Sequence, residues 1–210
     1  MTDKIVLAEE MTPDELRSQY DVIAPGYDRK LWFDQAIFGV ARFRRQLMSQ
    51  ARGKILDVAC GTGLNFPFFP AGSNTTGIDF SPGMLEVAFR LGLNVELVIM
   101  DAQKLEFPDQ IFSTVVTSLS TCTFPDPIQA LKEMRRVCRS DGQILLLEHG
   151  HSSLPWIAAF QDRHVHRHYK ENAGCRWNQD PLALIQATGL KILKSERAIL
   201  GMYASIQAAP

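Results

Sequence analysis

One glycine turn carries the densest set of residues that could bind a ligand. Gly61 and Gly63 come just after the apolar segment 55–58, and a glycine lacks the Cβ atom that would keep a ligand away from the backbone. Asp79 follows 18 positions after Gly61, close to where nucleotide-binding α/β units place an acid that accepts hydrogen bonds from ribose hydroxyls. A carboxylate suits this task because it only accepts hydrogen bonds and can accept two of them. The spacing therefore predicts a site for a nucleoside.

Two residues near the turn indicate which nucleoside it would bind. The dinucleotide fingerprint G-x-G-x-x-G has Phe66 in place of its third glycine, and this weakens a pyrophosphate site. Asp57 lies ahead of the glycines, where its charge would oppose a diphosphate and favour a ligand with an ammonium group. S-adenosylmethionine carries adenosine at one end and an amino acid at the other, so it is the predicted cofactor. A nicotinamide-dependent dehydrogenase and a cofactor-binding module without turnover are the alternatives.

The elements that must position these residues alternate along the chain. Short apolar runs suit strands buried on both faces of a parallel sheet, and such runs cover residues 54–59, 75–79, 95–100, 112–118 and 143–148. An N-cap residue followed by proline marks the start of a helix, and this pair occurs at Thr12, Ser81, Asp126 and Asp180. Between and after them we expect a helix following Gly63, a helix over 34–50, and two closing strands at 191–197 and 202–207.

This alternation predicts an α/β fold, a doubly wound and mostly parallel seven-stranded sheet with helices on both faces. The helix over 34–50 is expected because Phe38, Phe43 and Leu47 recur at helical spacing. After residue 148 the alternation stops, and a polar segment with scattered aromatic residues runs over 149–178. We therefore expect a single domain over 1–210, with a helical cap over 1–50 and an acceptor-pocket insertion over 149–178.

The composition narrows the class of protein. The 210 residues include 22 Lys and Arg against 23 Asp and Glu, a formal charge of -1, whereas a nucleic-acid-binding protein normally has a basic excess. No apolar run approaches the roughly 18 residues of a membrane span, and no secretory signal is recognised. The four cysteines form no C-x-x-C pair, so free thiols in a reducing cytoplasm are expected. The sequence predicts a cytoplasmic monomer or homodimer that acts on a small molecule and binds no nucleic acid.

The segment Asp57-Val-Ala-Cys-Gly-Thr-Gly63 resembles motif I of the class I S-adenosylmethionine-dependent methyltransferases, above all the ubiquinone/menaquinone-methyltransferase-like group. Ala59 stands where many members of that family have glycine. Segments 77–85 and 101–102 resemble the motifs of the second and third strands, and 118–119 follows the fourth strand, where the family lines the methionine side of the cofactor. The resemblance implies that the cofactor is contacted by Asp57, Ala59, Cys60, Gly61, Gly63, Asp79, Phe80, Met84, Asp101, Ala102, Ser118 and Leu119.

The amino-terminal pattern Tyr20-Asp21-x-x-Ala24-x-x-Tyr27-Asp28 also resembles this group, whose first helix closes over the cofactor. The resemblance makes Tyr20 and Tyr27 candidates for contacting the cofactor or guiding the acceptor. Simple packing of the first helix is the alternative for both tyrosines.

A narrower resemblance concerns the acceptor. Leu147-Glu148-His149, Trp156, Gln161 and Gly174-Cys175 are similar in order to methyltransferase-like proteins that methylate small alkyl thiols. This implies a small, lipophilic acceptor, in the first place a thiol, with a quinol or a phospholipid headgroup as alternatives. Those relatives carry an amino-terminal membrane-anchoring helix that is not recognised in this sequence, so only peripheral contact with a membrane is expected.

The chemistry of methyl transfer suggests one further role. A sulfonium donor is already activated, so the enzyme mainly supplies proximity and alignment. A general base is needed where the acceptor atom carries a proton. His149, directly after the fifth predicted strand, is the candidate base, and His151 is a weaker one.

A metal site is not predicted. In the pattern His164-x-His166-x-His168, the first and last histidines would share a helix face but His166 would point away. No nearby carboxylate or cysteine completes a ligand set, so we expect a solvated helix face. Cys175 lies in an irregular stretch and is not expected to act as a functional thiol.

Overall fold

Seven strands form one sheet in the computed structural model, which describes residues 10–37 and 39–210 and omits the side chains of 33–37. The strands are β1 Lys54–Val58, β2 Asn74–Asp79, β3 Glu96–Ile99, β4 Phe112–Ser118, β5 Cys138–His149, β6 Lys191–Ala198 and β7 Tyr203–Ala209. Their order is β3-β2-β1-β4-β5-β7-β6. Strands β1 to β5 are parallel, and β7 runs antiparallel to both β5 and β6. The predicted doubly wound, mostly parallel sheet is confirmed.

Four of the helices described begin at the predicted cap residues Thr12, Ser81, Asp126 and Asp180. They are α1 Pro13–Ile23, α2 Tyr27–Ile37, α3 Val40–Met48, α4 Pro82–Phe89, α5 Pro127–Val137, α6 Pro155–Glu171 and α7 Pro181–Ala187. Thr12 forms a capping box with Glu15 at the start of α1. Ser81, Asp126 and Asp180 each accept a backbone N–H at the start of α4, α5 and α7. These side chains satisfy amide groups that have no partner inside the helix.

Two helix predictions were wrong. The expected single helix over 34–50 is divided between α2 and α3, because Gly39 adopts a left-handed φ of 68° that ends one helix and precedes the next. Phe38, one of the residues behind that prediction, lies outside the described residues. The expected helix after Gly63 is only the short 3-10 helix Phe66–Phe68. Pro70 cannot donate a helical hydrogen bond and its ring would clash with the preceding turn, so an α-helix cannot continue there.

Both faces of the central strands β1, β4 and β5 are buried, which explains their unbroken apolar runs. Along β5, Ile144 and Leu146 pack on the face covered by α5 and α7, whereas Leu145 and Leu147 pack on the face covered by α3. This alternation follows from the two-residue period of a strand. Because the five parallel strands point the same way, the residues at their carboxyl ends come together at one edge of the sheet.

The segment after β5 returns to that same edge. Gln161 of α6 accepts the backbone N–H of Ser152 and donates to the carbonyl oxygens of Gly150 and Trp177. One buried amide therefore joins α6 to the chain on both sides of it. Among the described residues, no helix is long and apolar enough to cross a membrane.

Candidate functional site

A cavity of about 430 Å³ lies at the carboxyl ends of β1, β2 and β4 and is called the first cavity. This volume falls in the range of small-molecule sites. Of the twelve residues predicted to contact a cofactor, those that line it are Ala59, Cys60, Gly61, Asp79, Phe80, Met84, Asp101, Ala102, Ser118 and Leu119. Asp57 and Gly63 are not among its lining residues, and both stand behind its wall.

Asp79 joins the two turns that form one side of the first cavity. Its Oδ2 accepts the backbone N–H of Gly61 at 2.9 Å, and its Oδ1 accepts that of Ser81 at 2.9 Å. Burial raises the pKa of Asp79 to about 6, although these two amides and that of Phe80 favour the ionised form. The carboxylate therefore holds the glycine turn and the start of α4 at a constant distance.

The two glycines of the turn have different functions. Gly61 has a left-handed φ of 56° and open space where a Cβ would be, so a ligand can approach its backbone. At Gly63, with a φ of 84°, a Cβ would lie 2.7 Å from the ring of Phe66. Gly63 is thus needed for the packing of Phe66 beneath the turn, and a side chain there would displace that ring.

Two residues other than glycine have a left-handed backbone at the edge of the first cavity. Ala59 follows β1 with a φ of 53°, and Leu119 follows the adjacent β4 with a φ of 55°. Ala59 therefore lies outside β1, which ends one residue earlier than predicted. Such backbone conformations are uncommon for residues with a Cβ and concentrate at functional sites. Both residues line the first cavity.

A buried polar network lies behind the wall of the first cavity. Both carboxylate oxygens of Asp57 accept from Asn65 Nδ2 at 3.0 Å. Arg44 Nη1 donates to Asn65 Oδ1 at 2.5 Å and to Ser118 Oγ at 2.7 Å. Burial raises the pKa of Asp57 to about 7 and lowers the pKa of Arg44. The network links β1, β4 and α3, and the Arg44 charge offsets the burial of Asp57.

Arg44 was not predicted as a site residue, although its position among the apolar residues of α3 could have indicated a buried role. Arg44 is 2% exposed and lies on the buried face of α3 with Val40, Leu47 and Met48. A charged residue at a position that periodicity assigns to the core has to find a partner there. The partners here, Asn65 and Ser118, come from other elements.

The amino-terminal helices are attached to the first cavity by two aspartates. Asp21 Oδ1 accepts from Ser81 Oγ at 2.6 Å and from the backbone N–H of Gly83 at 2.9 Å. Asp28 Oδ1 accepts from Thr62 Oγ1 at 2.6 Å. Both aspartates belong to the amino-terminal pattern that drew attention to the adjacent tyrosines, and their role was not predicted.

A second cavity of about 350 Å³ adjoins the first. The two cavities share five lining residues, Tyr20, Tyr27, Leu31, Leu119 and Thr123. The Tyr20 ring meets the Phe80 ring edge-on, with centroids 5.7 Å apart, and lies 6.4 Å from that of Tyr27. Burial raises the pKa of both tyrosines, so their hydroxyls stay neutral. Two neutral aromatic side chains thus stand between two compartments of small-molecule size.

His149, the candidate base, lies in the wall of the second cavity between two cysteines. Its Nε2 is 3.4 Å from Cys122 Sγ and 3.4 Å from Cys175 Sγ. Within the described part of the chain, the ligand atoms of these three side chains lie close enough together to hold one metal ion. Cys122 was not a candidate site residue in the sequence, and Cys175 was not expected to act as a functional thiol. No residue near either cysteine in the sequence indicates that the two side chains meet.

Glu148 supports the turn that carries Cys122. It is fully buried, and its Oε2 accepts the backbone N–H groups of Ser120 and Thr121 at 3.1 and 3.2 Å and the Thr121 hydroxyl at 2.8 Å. Burial raises the pKa of Glu148 to about 7. Its neighbour His149 is therefore next to a carboxyl group that orders the cavity wall.

The other histidines are separate from this cluster. His164 lies 2.9 Å from the Phe160 carbonyl oxygen, and His168 stacks on the Trp177 ring with centroids 4.0 Å apart. Burial lowers the pKa of His168 to about 4, which leaves the ring neutral. His151 Nε2 lies 3.2 Å from Asp162 Oδ1 and does not line the second cavity.

Comparison with protein families gives one matching family model, described as a methyltransferase domain, over residues 56–146. The chain is 36% identical over 141 residues to a phosphatidylethanolamine N-methyltransferase of Cereibacter sphaeroides, covering 62% of this chain and 70% of that protein. It is 35% identical over 145 residues to the demethylmenaquinone methyltransferase of Renibacterium salmoninarum, covering 66% and 60%.

A third relative matches over more of the chain. The mitochondrial methyltransferase OMS1 of Saccharomyces cerevisiae is 26% identical over 223 residues, which covers 95% of this chain. This chain spans only 47% of OMS1, and it spans less than two thirds of the demethylmenaquinone methyltransferase as well.

The solved structures agree on the fold. One is a S-adenosylmethionine-dependent methyltransferase of Thermotoga maritima, described as a possible histamine N-methyltransferase. It superposes with a TM-score of 0.68 over 92% of this chain and 99% of that one, at 18% identity. Similarity at this level of identity concerns the architecture alone.

Proposed function

Since the chain belongs to the class I S-adenosylmethionine-dependent methyltransferases, in the quinone-methyltransferase-like group, we propose that it methylates a small, lipophilic acceptor bound in the second cavity. The observation that carries this proposal is the wall that the two cavities share through Tyr20, Tyr27 and Leu119. A donor in the first cavity and an acceptor in the second would meet across that wall.

The cofactor is S-adenosylmethionine, and we assign its parts to the first cavity by charge and hydrogen bonding. Asp79 would accept hydrogen bonds from the ribose hydroxyls, and Asp101 with Ala102 would face the adenine. The methionine end would lie near Ala59 and Ser118. Cys60, Gly61, Phe80, Met84 and Leu119 would contact the cofactor as well, while Asp57 and Gly63 would support the turn from behind.

Arg44 is our candidate partner for the cofactor carboxylate. It lines the first cavity beside Ser118, and it brings a positive charge to the end of the cavity where an amino acid would lie. A guanidinium suits a carboxylate because it offers several donors in a fixed plane.

The reaction would be an in-line displacement in which the acceptor atom attacks the methyl carbon and the sulfonium leaves as S-adenosylhomocysteine. Most of the acceleration would come from alignment, with the reacting atoms about 3–3.5 Å apart. Tyr20 and Tyr27 would orient the acceptor from the shared wall. His149 would promote loss of the acceptor proton, which a thiol of pKa about 8.5 gives up more readily than a phenol of pKa about 10.

The acceptor pocket would be formed by the helical cap over 1–50 and the insertion over 149–178, within one domain. Both contribute to the second cavity, the cap through Ile23 and Lys30 and the insertion through Gln161 and Trp177. A thiol remains our first candidate because Glu148, His149 and Cys175 share their order with the thiol methyltransferases. The relatives named for quinone and phospholipid substrates support a quinol or a headgroup amine as the second candidate.

The test combines cofactor binding with a panel of acceptors. Calorimetric titration with S-adenosylmethionine and S-adenosylhomocysteine should show saturable binding. Release of S-adenosylhomocysteine is then measured with alkyl thiols, quinols, amines and phosphatidylethanolamine. If neither cofactor form bound at millimolar concentration, the placement in the first cavity would be wrong. If the cofactor bound but no member of the panel were methylated, the proposed acceptor class would be wrong.

We further propose that the chain acts in the cytoplasm as a monomer or homodimer, with peripheral membrane contact where the acceptor is a lipid. The mitochondrial relative makes that compartment the competing outcome of cell fractionation. Size-exclusion chromatography with light scattering would report the oligomeric state.

A further inference from the structure

Three ligand atoms from three separate elements meet in the wall of the second cavity. Cys122 lies in the turn after β4, His149 is the last residue of β5, and Cys175 follows α6. The two Sγ atoms and the histidine nitrogen all lie within 4.8 Å of one another. Both cysteines are buried and neither is in a disulfide.

The backbone around the cluster is held by hydrogen bonds that do not involve the three side chains. The Arg176 N–H donates to the Cys122 carbonyl oxygen at 3.0 Å, which joins the two cysteine-bearing segments directly. The Cys175 N–H donates to the Asn172 carbonyl oxygen at 3.1 Å. His149 is paired with Tyr203 in the sheet, and their rings meet edge-on. The ligand atoms are therefore preorganised by their scaffold.

We propose that Cys122, His149 and Cys175 bind a thiophilic divalent metal ion, in the first place zinc, with a fourth coordination position open to the second cavity. Tetrahedral zinc with Zn–S near 2.3 Å and Zn–N near 2.0–2.1 Å requires about 3.5 Å between sulfur and nitrogen. Both sulfur–nitrogen distances here are 3.4 Å. The two sulfur–nitrogen distances thus already suit the ion, and the two Sγ atoms lie within 4.8 Å of each other.

The charge of such a site suits its buried position. Binding would replace two S–H bonds by two metal–sulfur bonds and release two protons, with no change of oxidation state. Two thiolates, one neutral imidazole and one divalent cation sum to zero charge, so the cluster would not leave a net charge in the cavity wall. Thiolate and imidazole ligands also select zinc over the hard cations magnesium and calcium.

Three protein ligands with one open position are the pattern of catalytic zinc, whereas structural zinc sites have four protein ligands. All three residues line the second cavity, so the open position faces the space that we assign to the acceptor. The chemical class of ligand it would take is a thiol, which loses its proton on binding to the metal. This last step rests on the proposed function, whereas metal binding itself does not.

Metal binding and general-base catalysis exclude each other at His149 Nε2, because the same lone pair is used. In the metal-bound enzyme, His149 would hold the metal ion, and the ion would promote loss of the acceptor proton. In a metal-free enzyme it would do so as a base, with the two cysteines as its hydrogen-bond partners. The metal content of the protein therefore decides between two mechanisms for one residue.

The experiment measures metal directly. The full chain is prepared without a histidine tag or chelator in medium containing zinc, and its metal content is determined by mass spectrometry of the elements. The metal-free protein is then titrated with cobalt, which gives thiolate charge-transfer bands and visible bands of tetrahedral coordination. Cys122→Ser and Cys175→Ser are compared with Cys138→Ser, a buried cysteine that lines neither cavity.

We expect one zinc ion per chain, tetrahedral cobalt spectra, and retention of both in Cys138→Ser. Removal of a ligand should weaken metal binding by more than about 100-fold, beyond the loss caused by changing an outer partner. Circular dichroism and S-adenosylmethionine titration show whether each variant is folded. A wild-type protein that holds no zinc and gives no thiolate–cobalt band would overturn the metal site and leave the proposed methyltransferase function intact. Metal binding without methylation of any acceptor would support the metal site and overturn the proposed acceptor class.

Discussion

The hydroxyl of Thr62 donates a hydrogen bond to the carboxylate of Asp28 at 2.6 Å. Thr62 belongs to the glycine turn after β1, and Asp28 to the first turn of α2. Both Thr62 and the neighbouring Tyr27 line the first cavity. This contact and the hydrogen bond between Ser81 and Asp21 hold the amino-terminal helices against the first cavity.

We expect loss of this hydrogen bond to speed release of S-adenosylmethionine. Asp28→Ala and Thr62→Val should each raise the dissociation rate about tenfold, the effect of roughly 1.4 kcal/mol. The double variant should be no faster than either single variant, since one contact is lost in all three. Stopped-flow displacement of the cofactor measures the rates. Asp28→Asn keeps an acceptor oxygen and is the matched control; strictly additive effects would show that the contact does not hold the helix.

Asp79 should determine cofactor affinity more than fold. Asp79→Asn leaves one carbonyl oxygen for two backbone N–H donors and for the ribose, so S-adenosylmethionine should bind about 10- to 100-fold more weakly. Calorimetry measures the affinity, and thermal unfolding checks that the protein is folded. Asp141→Asn, an exposed change at the far end of β5, serves as the control. If the affinity stayed within twofold of wild type, the proposed contact between Asp79 and the ribose would be wrong.

Arg44 should be needed for stability. Replacing it by Met removes the positive charge that offsets the burial of Asp57 and the donor that pairs with Asn65 Oδ1, and loss of one member of a buried charged network costs about 3 kcal/mol or more. Arg42→Met on the same helix changes an exposed residue and should stay within about 0.5 kcal/mol of wild type. Urea denaturation gives both values. Equal stability of the two variants would mean that the network does not depend on the guanidinium.

The buried carboxyl groups predict how stability depends on pH. The pKa values of Asp57 and Glu148 are raised to about 7 and that of Asp79 to about 6, so all three groups bind protons more tightly in the folded chain. Their contribution is fully present below the unfolded pKa of about 4 and is lost as the pH rises through about 6 to 7. The free energy of unfolding should therefore fall across this window.

Asp57→Asn tests that dependence because it removes one of the three buried carboxyl groups whose pKa is raised. Urea denaturation at several pH values should show a smaller fall for Asp57→Asn than for wild type. Asp141→Asn should keep the wild-type profile, since that carboxyl is exposed. Wild-type and Asp57→Asn profiles of equal slope would mean that Asp57 stays ionised throughout.

Local patterns predicted most of the architecture. The strand β4 has the predicted bounds, and the caps at Thr12, Ser81, Asp126 and Asp180 begin four helices. These features succeed because hydrophobic periodicity and capping depend on neighbours within a few residues. The two wrong helix predictions, at Gly39 and Pro70, also have a local cause. At each position the backbone preference of one residue ended an otherwise helical pattern.

The sequence by itself determined the parallel sheet, the glycine turn and the position of Asp79 at the end of β2, because apolar runs, caps and turn residues depend on neighbours along the chain. Only the tertiary structure decided that Arg44 and Asn65 support Asp57, that Asp28 meets Thr62, and that Cys122 and Cys175 flank His149. Apart from Asn65 and Asp57, these pairs are far apart along the chain and meet only because parallel strands end at one edge and α6 returns to it. A distance set by packing across several elements has no counterpart in any short stretch of sequence, and the geometry of both cavities depends on distances of that kind.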